Sequence, residues 1–240
     1  MMKQMTKNAC ALAVLAATTL GSMPAMASSV DVGVRGSIAP VSCVPTLSGG
    51  GAINYGTITA DSLAAGDEYT VLPQKVLTLN IACSSPIKVG MQIVNGRLNT
   101  HPTGNDLAHG AVPAPPGVKL HSGFVSLATA GLGLDGTRRI GGYSVNLLNP
   151  VADGVAVRNA HSLEGIAGWG TSTNGLMFSP HEFRPFTRSW TAATGTVEPL
   201  AIENLTTGLQ VHAFLNKATE LDLAKPVRLD GMATLELIYL

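Results

Sequence analysis

An all-β fold of the β-sandwich type is what this sequence predicts, and three observations carry the prediction. Apolar residues alternate at a two-residue period, turn-forming pairs punctuate that alternation, and no stretch repeats at the helical period. Many short strands separated by turns point to a sandwich or barrel, and the lack of long amphipathic segments argues against alternating strands and helices.

The chain opens with Lys3 and Lys7, an apolar run over residues 9–20 and the small residues Ala25, Met26 and Ala27. That is the layout of a cleavable secretory signal, so residues 1–27 are expected to be removed and the mature chain to begin at Ser28. The run is too short to span a bilayer, and no later stretch approaches the roughly 20 apolar residues that a membrane helix needs. Cys10 lies inside this run, not directly after the cleavage site, which argues against lipid attachment.

The first strand candidate covers residues 30–38, where Val30, Val32, Val34 and Ile38 alternate with Asp31, Gly33, Arg35 and Ser37. Further candidates follow at 53–58, 76–82, 87–94, 118–127 and 143–148, and then at 154–157, 197–202, 209–215 and 232–240. Turn signals separate them: Gly49-Gly50-Gly51, Asp135-Gly136, Asn149-Pro150, Asp153-Gly154 and Asp230-Gly231. Residues 101–117 hold Pro102, Pro113, Pro115 and Pro116 among glycines, so a surface loop is expected there. Residues 151–196 read as irregular, with Trp169, Phe178, Phe183, Phe186 and Trp190 expected to line a recognition surface or, the favoured reading, to fill a satellite core under long loops. No internal repeat or second composition regime follows the signal, so residues 28–240 are expected to form one domain with elaborated loops.

Removing residues 1–27 takes two lysines and no acids, which leaves 13 Lys+Arg against 15 Asp+Glu, a formal charge of −2. Nucleic-acid binding needs a basic face, and this balance does not supply one. With 45% hydrophobic and only 12% charged residues, the chain is a core-forming protein and not a disordered polar segment.

Two cysteines remain after cleavage, Cys43 and Cys83, and an even count in an oxidising compartment is most simply a disulfide. No Cys-x-x-Cys spacing marks a redox pair, and no clustered His or second cysteine pair marks a zinc site. Catalytic motifs are missing as well: the sequence has no H-E-x-x-H, G-x-S-x-G, Walker-type loop or EF-hand spacing. His101, His109, His121, His161, His181 and His212 are scattered singly, and spacing alone does not pair Glu182, Glu198 and Glu203 across a cleft. The expectation is a protein that is no enzyme, with no cofactor and no metal.

Several stretches taken together resemble the subunits of chaperone–usher fimbriae. Val34-Arg35-Gly36-Ser37-Ile38 followed by Cys43 is similar to the start of a pilin, and Ile53-Asn54-Tyr55-Gly56-Thr57-Ile58 to its next strand. The stretch from Val76 to Cys83 is similar to the strand that carries the second pilin cysteine, and the stretch from Gly142 to Leu148 to a central strand. The stretches from Leu209 to Phe214 and from Thr234 to Leu240 resemble the last two strands. The closing stretch from Leu229 to Leu240 most resembles a narrower group, the GltF-like periplasmic proteins.

The resemblance implies an immunoglobulin-like, pilin-type sandwich that lacks one strand and is completed by a chaperone or by a neighbouring subunit. On that reading Val30, Val32 and Val34 are candidate donor residues, and Ala233, Leu235, Leu237 and Tyr239 form the acceptor edge. The implied role is a fimbria-like structural and interaction protein of the periplasm or cell surface. Its partners would be a periplasmic chaperone and neighbouring fimbrial subunits, with no nucleic acid and no membrane span. Two alternatives stand beside it: a self-contained periplasmic binding or regulatory protein linked to nitrogen and glutamate, and a carbohydrate-binding adhesin.

Overall fold

The computed structural model of the chain describes residues 29–107, 110–121, 127–164, 166–179 and 185–240. The expected signal over residues 1–27 lies outside these, as do His109, His181, Glu182 and Phe183. Residues 29–39 belong to a unit separate from the strand-bearing unit Pro40–Leu240.

The strands are β1 (Cys43–Leu47), β2 (Thr70–Val71), β3 (Lys75–Asn95), β4 (Val112–Pro113) and β5 (Ala128–Gly131). They continue as β6 (Leu134–Asp135), β7 (Arg138–Arg139), β8 (Gly141–Ala152), β9 (Val155–Leu163) and β10 (Gly170–Thr171). The last are β11 (Phe186–Ala192), β12 (Ala201–Leu215) and β13 (Ala233–Tyr239). Among the described residues the only helical elements are three short 3-10 turns, so the chain is all-β.

Every ladder among the described strands is antiparallel, and five of the strands close a circuit: β3 pairs with β12, β12 with β8, β8 with β9, β9 with β11 and β11 with β3. The sheet is therefore barrel-like. Its organiser is β3, whose odd-numbered residues point inward along almost its whole length and bury Leu79, Ile81, Val89 and Met91. They meet Val145 and Leu147 of β8, Trp190 of β11, and Ile202, Leu205 and Leu209 of β12 in one apolar core.

Where the sequence pattern shows two strands, at 76–82 and 87–94, the chain forms one of 21 residues. Pro86 does not interrupt it, because the β1 ladder ends at Cys83, the β13 ladder begins at Val89 and the β12 ladder skips from Ala82 to Ile87. A proline there forfeits no ladder bond.

The hairpin from β8 to β9 turns through Asp153 (φ +49°) and Gly154 (φ +80°), the pair of positive φ values that a two-residue turn of the primed type demands. The Asp153 carboxylate caps the neighbouring strand and accepts the Asn204 N–H at 2.7 Å and the Glu203 N–H at 3.2 Å. This occurs where β12 slips register against β3 between Ile202 and Asn204.

Several expectations are corrected. Residues 30–38 alternate but carry no strand, and residues 53–58 are likewise outside any strand, since alternation supplies a face but not a hydrogen-bonding partner. In the 118–127 candidate only an isolated bridge at Leu120 is seen among the described residues. The stretch 151–196 is not largely irregular, for β9, β10 and β11 lie within it. Its aromatics Phe178, Phe186 and Trp190 are buried, Phe178 and Trp190 in the main core, while Trp169 is half-buried.

Candidate functional site

Two strands lie in tandem along β3. Strand β1 pairs Cys43 with Cys83 through Leu47 with Leu79, and β13 pairs Tyr239 with Val89 through Ala233 with Asn95. Each pairs with β3 alone, so each leaves one edge without a strand partner among the described residues. A disulfide joins Cys43 to Cys83 at the point where the two ladders meet.

Beside β13 lies an apolar cavity of ≈ 330 Å³. Leu47, Ile53 and Tyr55 form one wall, Leu229, Ala233 and Leu235 the other, and Leu77, Val145, Leu209 and Val211 belong to the core beneath. Gly231 lets the second wall close down, because a Cβ there would meet a Leu132 methyl carbon at 2.7 Å and the Tyr143 ring at 3.3 Å. Tyr143 completes the contact by donating its hydroxyl to the Met232 carbonyl at 2.9 Å, and burial raises the pKa of that phenol. Arg97 fixes the same segment from outside with a two-pronged ion pair to Asp230 at 2.7 and 2.8 Å, which lowers the Asp230 carboxyl.

Of the four residues proposed for an acceptor edge, Ala233, Leu235 and Leu237 all pack against the main core. Ala233 and Leu235 also line the cavity, and Tyr239 is exposed. Val30, Val32 and Val34 are all exposed, as is Ile38.

Of the dispersed polar residues, Glu198 and Glu203 are exposed. Among the described residues no group of three His, Cys, Asp or Glu side chains could hold a metal ion. Folding does bring two histidines together, which the sequence did not reveal. The rings of His121 and His212 lie 5.6 Å apart, His121 donates its backbone N–H to His212 Nδ1 at 2.9 Å, and its own Nδ1 meets Gln210 Oε1 at 2.8 Å. Burial lowers the pKa of both. His101 is buried against Thr129 and Phe214, and burial, reinforced by the charge of Arg139, holds its pKa down at about 4. These contacts link residues about 90 positions apart, a separation no local motif encodes.

No helix among the described residues is long and apolar enough to cross a membrane. Residues 32–144 match a family model described as "Protein of unknown function (DUF1120)". The chain is 25% identical over 259 aligned residues to Protein GltF of Escherichia coli (strain K12), covering 98% of each chain. It is also 25% identical over 244 residues to Uncharacterized protein YhcF of the same strain, covering 94% of this chain and 97% of that one. No solved structure matches the chain. Along nearly its whole length, then, this chain is similar to GltF and YhcF.

Proposed function

We propose that this chain is an exported, fimbria-like interaction protein of the bacterial envelope that works by β-strand complementation and surface contacts, without chemistry of its own. The observation that supports the reading is the apolar cavity lined by Ala233 and Leu235 of β13, a strand that pairs with β3 alone among the described residues. An extended segment laid along that edge gains backbone hydrogen bonds, while its alternate side chains enter the cavity. The occupant that suits it is a strand with apolar residues at every second position, from a periplasmic chaperone or a neighbouring copy. Residues 30–38 carry such a pattern, exposed and outside any strand, which makes Val30, Val32 and Val34 the proposed donors. The pilin-type, immunoglobulin-like description belongs to the same proposal. A Cys43–Cys83 disulfide is the chemistry of an oxidising compartment, in keeping with export to the periplasm or cell surface.

The test is size-exclusion chromatography with light scattering on periplasmic material, comparing the intact mature chain with a version lacking residues 28–36. The reading expects assembly or a chaperone complex from the intact chain, abolished by the truncation. A stable intact monomer that unfolds on truncation would instead identify a self-contained periplasmic protein.

A further inference from the structure

A second cavity, ≈ 720 Å³, lies where the hairpin of β8 and β9 meets the 172–175 segment, Gln210 and His121. Five side-chain amides line it, Asn146, Asn149, Asn159, Asn174 and Gln210, and no carboxylate does so among the described residues. They come from separate parts of the chain and are held by bonds that orient them. The Gly175 N–H donates to Asn146 Oδ1 at 2.9 Å, and Asn159 Nδ2 donates to the Leu147 carbonyl at 3.3 Å. Asn174 Oδ1 accepts the Leu176 N–H and the Ser172 hydroxyl, each at 3.2 Å. Gly175 permits this close layering, because a Cβ there would collide with the Leu147 carbonyl oxygen.

What these bonds leave over is informative. Asn159 is only 8% exposed, and its Oδ1 is buried with no hydrogen-bond partner. A buried acceptor without a partner is costly and calls for an explanation. Asn174 Nδ2 and the exposed Asn149 amide have no protein partner among the described residues, so the lining offers unused donors and, in Asn149 Oδ1, an unused acceptor. An anion site needs several charged donors that converge, and among the described residues the lining holds one cation, Arg158, which is exposed and donates its Nε to the Ala192 carbonyl. A cation site needs carboxylates, and none lines the cavity among the described residues. Neutral donors and acceptors side by side match hydroxyl groups, each of which does both, and Leu148, Pro150 and Val157 supply apolar surface for a ligand's C–H face.

We propose that this cavity is a binding site for a neutral saccharide unit. The site shares no lining residue with the cavity beside β13 and does not depend on strand complementation. It is tested with the full mature chain by saturation-transfer-difference NMR, using glucose, galactose, mannose and N-acetylglucosamine, with sialic acid and glutamate as anionic members, each at about 10 mM, which suits weak binding. At least one neutral sugar is expected to bind. That binding should weaken about fivefold, the scale of one lost hydrogen bond, in Asn174→Asp, which keeps the Oδ1 contacts and removes the donors, and in Asn149→Leu on the exposed rim. Circular dichroism confirms that both variants are folded. Binding by none of the neutral sugars, binding by the anionic members alone, or binding that neither substitution disturbs overturns the proposal.

Discussion

Cys43 donates its backbone N–H to the phenolic oxygen of Tyr239 at 2.9 Å, so one bond ties the first strand to the last across 196 positions of sequence. The same Cys43 is covalently joined to Cys83 on β3, and Tyr239 pairs with Val89 six residues further along that strand. Two weak edge strands are thus fastened end to end where neither has a second neighbour. Replacing Tyr239 by Phe keeps the ring and removes the acceptor. Because the residue is 49% exposed, water replaces part of what is lost, and the expected cost is about 0.5–1 kcal/mol in urea unfolding. No measurable change would mean that the bond does not hold the two strands together.

The disulfide contributes on a larger scale. It closes a loop spanning a sequence separation of 40, and the chain-entropy model assigns such a loop about 4 kcal/mol of destabilisation of the unfolded state. The double variant Cys43→Ser with Cys83→Ser is expected to lose close to that amount at neutral pH. The native chain should show the same loss on reduction. A loss below about 1 kcal/mol would show that β1 is held by its ladder alone.

Acid should weaken the fold as pH falls from about 6.5 toward 4. His101 is held at about 4, below the roughly 6.5 of an unfolded histidine, first by burial and then by Arg139. The folded state therefore binds fewer protons than the unfolded state between those values. Stability is fully present above about 6.5 and falls as pH drops toward 4, by up to about 3 kcal/mol from this group alone. His121 and His212 are lowered too and add with the same sign. Urea midpoints measured from pH 7.5 down to 4.5 should fall, and His101→Gln should flatten the profile. A level profile in the native chain contradicts the assignment.

The legible and illegible parts of the structure divide along physical lines. In β12 and β3 one face is buried, so Leu209 and Ala213, or Leu79 and Ile81, stand out, whereas the part of β12 around Leu205 was not legible. In β11 Arg188, Ser189, Trp190 and Thr191 are all buried, which erases the alternation and makes a strand look like a loop. In β9 the buried Asn159 interrupts the apolar face in the same way. Residues 30–38 show the reverse, with a strand's pattern but no strand formed. The cysteines were legible because two residues left in an oxidising compartment have one partner each. The amide-lined cavity was not, because Asn146, Asn159, Asn174 and Gln210 meet only through folding.

The turn at Asp153 offers a local test of two requirements at once. Its φ of +49° suits Asp or Asn and disfavours Ala, and its carboxylate accepts the Glu203 and Asn204 backbone N–H groups. Asp153→Ala loses both the tolerated conformation and the acceptor, at an expected cost of about 1–2 kcal/mol. Asp153→Asn keeps an acceptor oxygen and the positive φ, and should retain most of the stability. Equal losses in the two variants would show that the negative charge, not the geometry, is what the turn needs.

Arg188 is the most costly side chain in the core. It is 1% exposed, donates from Nε to the Leu176 carbonyl, and lies with its guanidinium 4.4 Å from the Phe186 ring centroid, while its Nη1 has no partner. Among the described residues no carboxylate pairs with it, and burial alone pulls its pKa down to about 9. A folded value below the unfolded one means that burying the charge opposes folding at neutral pH, and that the opposition eases as pH rises past 9. Arg188→Met fills similar volume without a charge, and buried ionic groups replaced in this way are often neutral or stabilising. The variant is expected to gain about 1 kcal/mol at pH 7 and to lack the native chain's rise in stability above pH 9. A loss of more than about 1 kcal/mol would show instead that the guanidinium, through Leu176 and the Asn174 amide 3.4 Å from its Nη2, is what holds the 174–176 segment against β8.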